Sequence, residues 1–154
     1  MSEATSIGYW CSIAAQHYFA RLQEKLADLE ISNWFYVLLT IDEGQGQWSQ
    51  QELADRLHLD KVGMTRALDH LAEKGYIERC DCTSDRRKHL VRLTEKAEPV
   101  LPRIRKAYRE LNKEALPGLD AAERERFLQQ LDGMVNTLRP VRTKARSVAK
   151  RIRS

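Results

Sequence analysis

At 154 residues, with 42% hydrophobic and 31% charged side chains, the chain can build one ordinary core and is too apolar to stay disordered. No apolar run nears the roughly 20 residues a membrane helix needs, and the opening MSEATSIGYW lacks the basic-then-apolar order of a secretory leader, so a cytoplasmic protein without a membrane partner is expected. The net charge of +4 is a property of one end: seven cations and no acid lie in residues 139–154, and the other 19 basic residues face 22 acidic ones, a net of −3.

In chain order, Cys11, Ala14, Tyr18, Leu22, Leu26 and Leu29 recur at three- and four-residue spacings, which predicts one amphipathic helix over 7–29. Ser32 is placed to cap a second helix through Phe35, Leu38 and Leu39, which Gly44-Gln45-Gly46 stops. Ser49-Gln50-Gln51-Glu52 reads as a capping box, with Trp48 and Leu53 at hydrophobic-staple positions. Asp60 caps the next helix, whose inner face is Met64, Leu68 and Leu71 and whose stop is Gly75.

Tyr76-Ile77-Glu78-Arg79 and Leu90-Val91-Arg92-Leu93 then alternate as a half-buried hairpin with Asp85-Arg86-Arg87-Lys88 at its tip. After Thr94, a possible cap, Leu101, Ile104, Tyr108, Leu111 and Ala115 make another helical stripe, which Pro99 and Pro102 delay. Pro117-Gly118 ends it. Asp120 caps a last helix bearing Phe127, Leu131, Met134 and Leu138, with Leu128 and Val135 beside them.

The expected fold is mainly α with a small β-hairpin wing: a winged helix-turn-helix core over 47–94, flanked by dimerisation helices over 5–30 and 98–138. One domain spans 1–154 and closes with a basic tail over 139–154. The flanking apolar stripes are broader than a small winged unit can cover, so a symmetric dimer is expected, and one recognition helix reads too few base pairs for useful specificity.

In such a unit the helix after Asp60 enters the major groove of double-stranded DNA. With Met64, Leu68 and Leu71 turned inward, Lys61, Val62, Gly63, Thr65, Arg66 and Asp69 are left on its outer face, and Val62, Gly63, Thr65 and Arg66 lie near the N-terminus, where base edges are reached. Arg66 could bond a guanine edge bidentately or hold a phosphate. Ser49 and Gln50, at the start of the preceding helix, join the DNA-binding candidates. Arg86, Arg87 and Lys88 suit the minor groove or its phosphates, and Asp85 is read as orienting an arginine within the wing.

These residues together resemble the MarR family of transcriptional regulators. The likeness rests on Ser49-Gln50-Gln51-Glu52-Leu53-Ala54, on Thr65-Arg66 followed by Leu71 and Lys74-Gly75-Tyr76-Ile77, on Arg79 ahead of Asp85-Arg86-Arg87, and on Leu93-Thr94-Glu95-Lys96. The resemblance implies a triangular homodimer, with helices from both chain ends forming the dimer region and two wings straddling a palindromic operator. It also implies release of DNA when a phenolic or other lipophilic ligand fills a crevice, for which Trp10, His17, Tyr18, Trp34 and Tyr36 are the lining candidates. The chain departs from the family where Val62-Gly63 replaces small hydroxyl residues, where Ala97 replaces a frequent glycine, at Pro99 and Pro102, and in its long basic tail.

Two other readings stay open. Some relatives sense oxidants through an N-terminal cysteine supported by tyrosines, and Cys11 with Tyr9, Tyr18 and Tyr36 resembles this. The basic tail could instead drive non-specific, architectural DNA binding. Three cysteines make no disulfide framework, and Cys80-Asp81-Cys82 with His89 lacks the second pair of a metal site, so no metal or cofactor is expected. The chain carries no P-loop, nucleophile elbow, H-E-x-x-H or dinucleotide turn, and an enzyme is not expected.

Overall fold

The structure, a computed structural model, describes residues 5–81 and 87–140. Its elements are α1 (Ile7–Lys25), a 3-10 turn (Ala27–Leu29), α2 (Phe35–Glu43), α3 (Gln50–Arg56), α4 (Lys61–Glu73), β1 (Ile77–Asp81), β2 (His89–Leu93), α5 (Val100–Ala115) and α6 (Ala121–Leu138). The expected class, mainly α with one antiparallel hairpin, is the observed one.

The single helix expected over 7–29 is broken. Helix α1 starts at a Ser6 cap and ends at Lys25, and after the 3-10 turn Glu30 is left-handed at φ 53°. Tertiary partners explain the break. The turned-out carbonyl of Leu29 accepts from the Tyr76 hydroxyl (3.0 Å), and that of Glu30 lies 2.9 Å from His70 Nε2, while Leu29 and Ile31 enter the core. A helix ending at Leu29 would leave these carbonyls without intrahelical donors, and the two side chains supply partners for them.

Ser32 does not cap α2. It is itself left-handed, at φ 57°, and the N-cap is Trp34 without a side-chain bond. Helix α2 is held instead by burial of Phe35, Val37, Leu38 and Ile41. Its stop is as expected: Gly44 caps it, and Gln45 and Gly46 follow with positive φ. A Cβ at Gly44 would sit 2.5 Å from the Trp48 ring, so the chain needs glycine where that indole crosses it. Arg56 lies over the same ring, 3.7 Å from its centroid.

Helix α3 begins with the expected capping box: Ser49 Oγ accepts from the Glu52 amide (3.3 Å), and Glu52 Oε2 accepts from the Ser49 amide (2.7 Å). Asp60 accepts from the Gly63 amide (2.6 Å) to start α4. Met64, Ala67, Leu68 and Leu71 are fully buried on its inner face. At its end the Tyr76 amide bonds the Leu71 carbonyl and the Gly75 amide the Ala72 carbonyl, with Gly75 at φ 80°. That reversal delivers the chain into β1.

Strand β1 pairs β2 from Ile77↔Leu93 to Asp81↔His89. Alternation is strict only at the base of the hairpin, where Ile77 and Val91 are buried; Arg79 and Asp81 stand in solvent. Thr94 does not cap a helix: its hydroxyl donates to the Gly75 carbonyl (2.6 Å), tying the end of β2 to the end of α4. Helix α5 begins at Val100, as the prolines require, and Pro102 falls in its first turn, where amides have no intrahelical acceptor. It buries Val100, Leu101, Ile104, Ala107 and Leu111 in the same core as α2 and α4.

A second compact unit begins at Leu116. It contains α6, opened by an Asp120–Glu123 capping box, and no residue of this helix is buried.

Candidate nucleic-acid interface

The helix-turn-helix is α3 and α4, and the wing is β1 and β2. Their mutual placement comes from backbone bonds. Ser49 forms an isolated antiparallel bridge with Leu90, and the Val91 amide donates to the Trp48 carbonyl, so the residues that open α3 also lie along the wing strand. On the other strand, Arg79 pairs with Asp69 of α4 at 2.7 Å. The wing is therefore anchored to both helices.

Between them lies an open cleft of about 370 Å³, lined by Ser49, Gln50 and Met64 together with Lys61, Lys88 and Arg87. Among the described residues its lining carries three cations and no carboxylate. Lys88 and Arg56 also act on Glu52, whose carboxyl is held below the usual glutamate value chiefly by the Ser49 amide and hydroxyl. An anionic strand laid across this cleft would meet positive charge from α4 and the wing at once.

Several expected contact residues have duties in the scaffold. Ser49 is buried and its hydroxyl donates to Glu52 Oε2 (2.8 Å). Gln50 Nε2 donates to Thr65 Oγ1 (3.1 Å), and that hydroxyl donates to the Lys61 carbonyl (2.8 Å). A Cβ on Gly63 would sit 3.1 Å from Asp60 Oδ1, so its glycine lets the cap close on the helix. Lys61, Val62 and Arg66 stand exposed on the outer face, and Arg87 and Lys88 are exposed on the wing. Arg86 and Asp85 lie outside the described residues.

The profile of the MarR family matches residues 27–88, from the turn after α1 to the residue before β2. A MarR transcriptional regulator from Methanosarcina mazei Go1 is similar over 85% of this chain and 94% of its own, at 26% identity and a TM-score of 0.77. A mutant MarR from E. coli, solved in complex with operator DNA, is 27% identical over 90% of this chain and 96% of its own, with a TM-score of 0.72. This chain matches the MarR family over residues 27–88 and resembles these MarR proteins over most of its length.

A third structure shares the fold alone: BpsR of Bordetella bronchiseptica, whose DNA binding is regulated by 6-hydroxynicotinic acid, is 20% identical with a TM-score of 0.76 over 88% of this chain and 97% of its own.

The candidate ligand residues separate into two groups. Tyr18, Trp34 and Tyr36 come together with Phe19 and Tyr108 in a chain of ring contacts, with neighbouring centroids 5.9–6.5 Å apart. Trp10 and His17 are exposed on α1 away from this chain, and Trp10 meets the Tyr9 ring edge-on.

Tyr108 is the member that sequence reasoning left among plain core residues, since its position in the α5 stripe is indistinguishable from Ile104 or Leu111. Its buried hydroxyl has no hydrogen-bond partner among the described residues, and burial pushes it well above its ordinary pKa. Tyr18 is pushed up to about 12 by burial and donates to Asn112 Oδ1 at 2.7 Å.

Cys11 is half-buried on α1. Of the tyrosines read as its support, Tyr9 meets Trp10, while Tyr18 and Tyr36 belong to the ring chain. Cys80 stands opposite Leu90 and its thiol lies 3.8 Å from Glu78 Oε1, whereas His89 pairs with Asp81 at 3.0 Å. Among the described residues no cluster of three His, Cys, Asp or Glu could hold a metal, and Cys82 lies outside them.

Proposed function

We propose that the protein is a homodimeric, sequence-specific repressor that binds a palindromic operator and releases it when a small phenolic or lipophilic molecule is bound. The observation that carries this reading is the placement of Lys61, Val62 and Arg66 on the open face of α4 beside a cation-lined cleft shared with the wing. Helix α4 lies in the major groove, and Arg87 and Lys88 contact phosphates or the minor groove. The E. coli relative in complex with operator DNA supports extending that role to this chain.

The dimer is supported by α6, whose Phe127, Leu128, Val135 and Leu138 are exposed, and by Ile7, Tyr9 and Trp10 at the start of α1. A second copy is the partner that would cover them. The Tyr18–Tyr36–Tyr108 cluster is the ligand site, because its rings offer apolar faces and Tyr108 an unsatisfied hydroxyl. The ligand acts only through its difference in affinity between the DNA-competent dimer and one with wrongly spaced recognition helices.

The test is titration of intergenic DNA from upstream of the gene, against random DNA, across a salt series. Arg66→Ala is expected to weaken operator binding and relax discrimination, by about 1–3 kcal/mol if the guanidinium is bidentate on guanine. Lys88→Ala is expected to weaken all DNA alike and to lower the salt slope by about one. Equal loss of operator and random DNA in Arg66→Ala would make that residue a phosphate contact. Uniform, salt-steep binding that disappears when residues 140–154 are deleted would overturn the reading in favour of an architectural DNA binder.

A further inference from the structure

Among the described residues, the large apolar side chains that remain well exposed lie in the first turns of α1 and on α6, with one exception: Val62, which is 62% exposed near the start of α4. Nothing in the fold requires valine there. Its β-branched side chain is a mediocre helix former, and an exposed one recovers no packing. Its neighbours on the outer face are Lys61 and Arg66, both charged, so Val62 is an isolated apolar contact on an otherwise polar surface.

The residues around it narrow what it can meet. Gly63 leaves no side chain beside it, because a Cβ would crowd Asp60 Oδ1. Thr65, one turn further on, has already donated its hydroxyl hydrogen to the Lys61 carbonyl and accepts from Gln50. It can offer a base only a remaining lone pair and its methyl group. The first turn and a half of α4 thus presents few free polar groups between its two cations.

In the major groove the one apolar group on a base edge is the C5 methyl of thymine. We propose that Val62 is a specificity-determining residue that reads thymine C5 methyls in the operator, with the methyl of Thr65 on the same face of the helix. This rests on the DNA-binding reading above and names the base chemistry that reading leaves open.

The experiment compares two duplexes of the footprinted upstream segment, one natural and one with every dT replaced by dU, which keeps base pairing and removes only the methyls. Wild-type protein is expected to bind the dU duplex about four-fold more weakly per contacted methyl, and about fifteen-fold across two half-sites. Val62→Ala, an exposed substitution that leaves the core intact, is expected to bind the natural duplex more weakly and to lose most of the difference between the two.

Equal binding of both duplexes by wild-type protein, with the footprint intact, would overturn the inference and leave the regulator reading standing. An undiminished dT-to-dU difference in Val62→Ala would overturn the assignment to Val62. The absence of any footprint would overturn the regulator reading and the inference with it.

Discussion

Helix α4 and helix α6 each start at an aspartate that accepts from the amide three residues on, Asp60 from Gly63 at 2.6 Å and Asp120 from Glu123 at 2.8 Å. Each carries apolar residues at helical spacing. Met64, Ala67, Leu68 and Leu71 of α4 are buried, whereas no residue of α6 is. Caps and periodicity decide that a helix forms. What an apolar stripe packs against is decided by which other stripes the chain supplies, and α4 has those of α2 and α5 in one core. Helix α6 has a stripe whose proposed partner is a second copy.

The widest separation between the two is expected on truncating their stripes. Leu68→Ala should destabilise the fold by about 2–5 kcal/mol, read from denaturant unfolding at any protein concentration. Leu138→Ala, at a side chain 72% exposed, should change unfolding of the dilute protein by no more than about 0.5 kcal/mol and instead weaken self-association in sedimentation. If dilute Leu138→Ala lost stability as Leu68→Ala does, α6 would have its partner within its own chain.

A smaller effect is expected at the caps. Asp60→Ala should cost about 0.5–2 kcal/mol of global stability, because α4 is part of the core. Asp120→Ala should speed hydrogen exchange in the first turn of α6 and leave the amides of α4 unchanged. Faster exchange throughout α4 in Asp120→Ala would couple the two helices more tightly than this comparison allows.

The order of elements was legible because most boundaries here are chemical. Ser49 with Glu52, Asp60, Gly75 and Asp120 each satisfy orphan groups of the adjoining helix, and each does so in the structure. At two of the three places where the structure differs, tertiary bonding overrides a local signal. The 7–29 helix breaks where Tyr76 and His70 claim the carbonyls of Leu29 and Glu30, Ser32 lies in a left-handed turn, and Thr94 turns its hydroxyl to Gly75.

The outer face of α4 was readable by subtraction once Met64, Leu68 and Leu71 were assigned inward. That Thr65 and Gln50 bond each other was not readable, since spacing does not reveal which polar side chains meet. The same limit separated Trp10 and His17 from the aromatic cluster and hid the place of Tyr108 in it.

The smallest expected effect sharpens the contrast through pH. Glu52 is held below the usual glutamate pKa, first by the Ser49 amide and then by the Ser49 hydroxyl. A depressed folded-state value means the contribution is complete above the unfolded glutamate pKa and is lost as pH falls through the folded one. Unfolding stability should therefore decline as pH falls from the ordinary glutamate pKa through the lowered one, and Glu52→Gln, which cannot ionise, should flatten that decline. A decline as steep in Glu52→Gln as in the wild type would remove this box from the acid response.

Placement of α4 in the major groove, as proposed, has a direct chemical readout. Dimethyl sulfate methylates guanine N7, which lies in that groove, so protection by the bound protein reports its occupancy directly. Protected guanines are expected in two patches related by a palindrome, with centres a whole number of helical turns apart at about 10–10.5 base pairs per turn. Protein bound at saturation with every guanine N7 still reactive would contradict that placement.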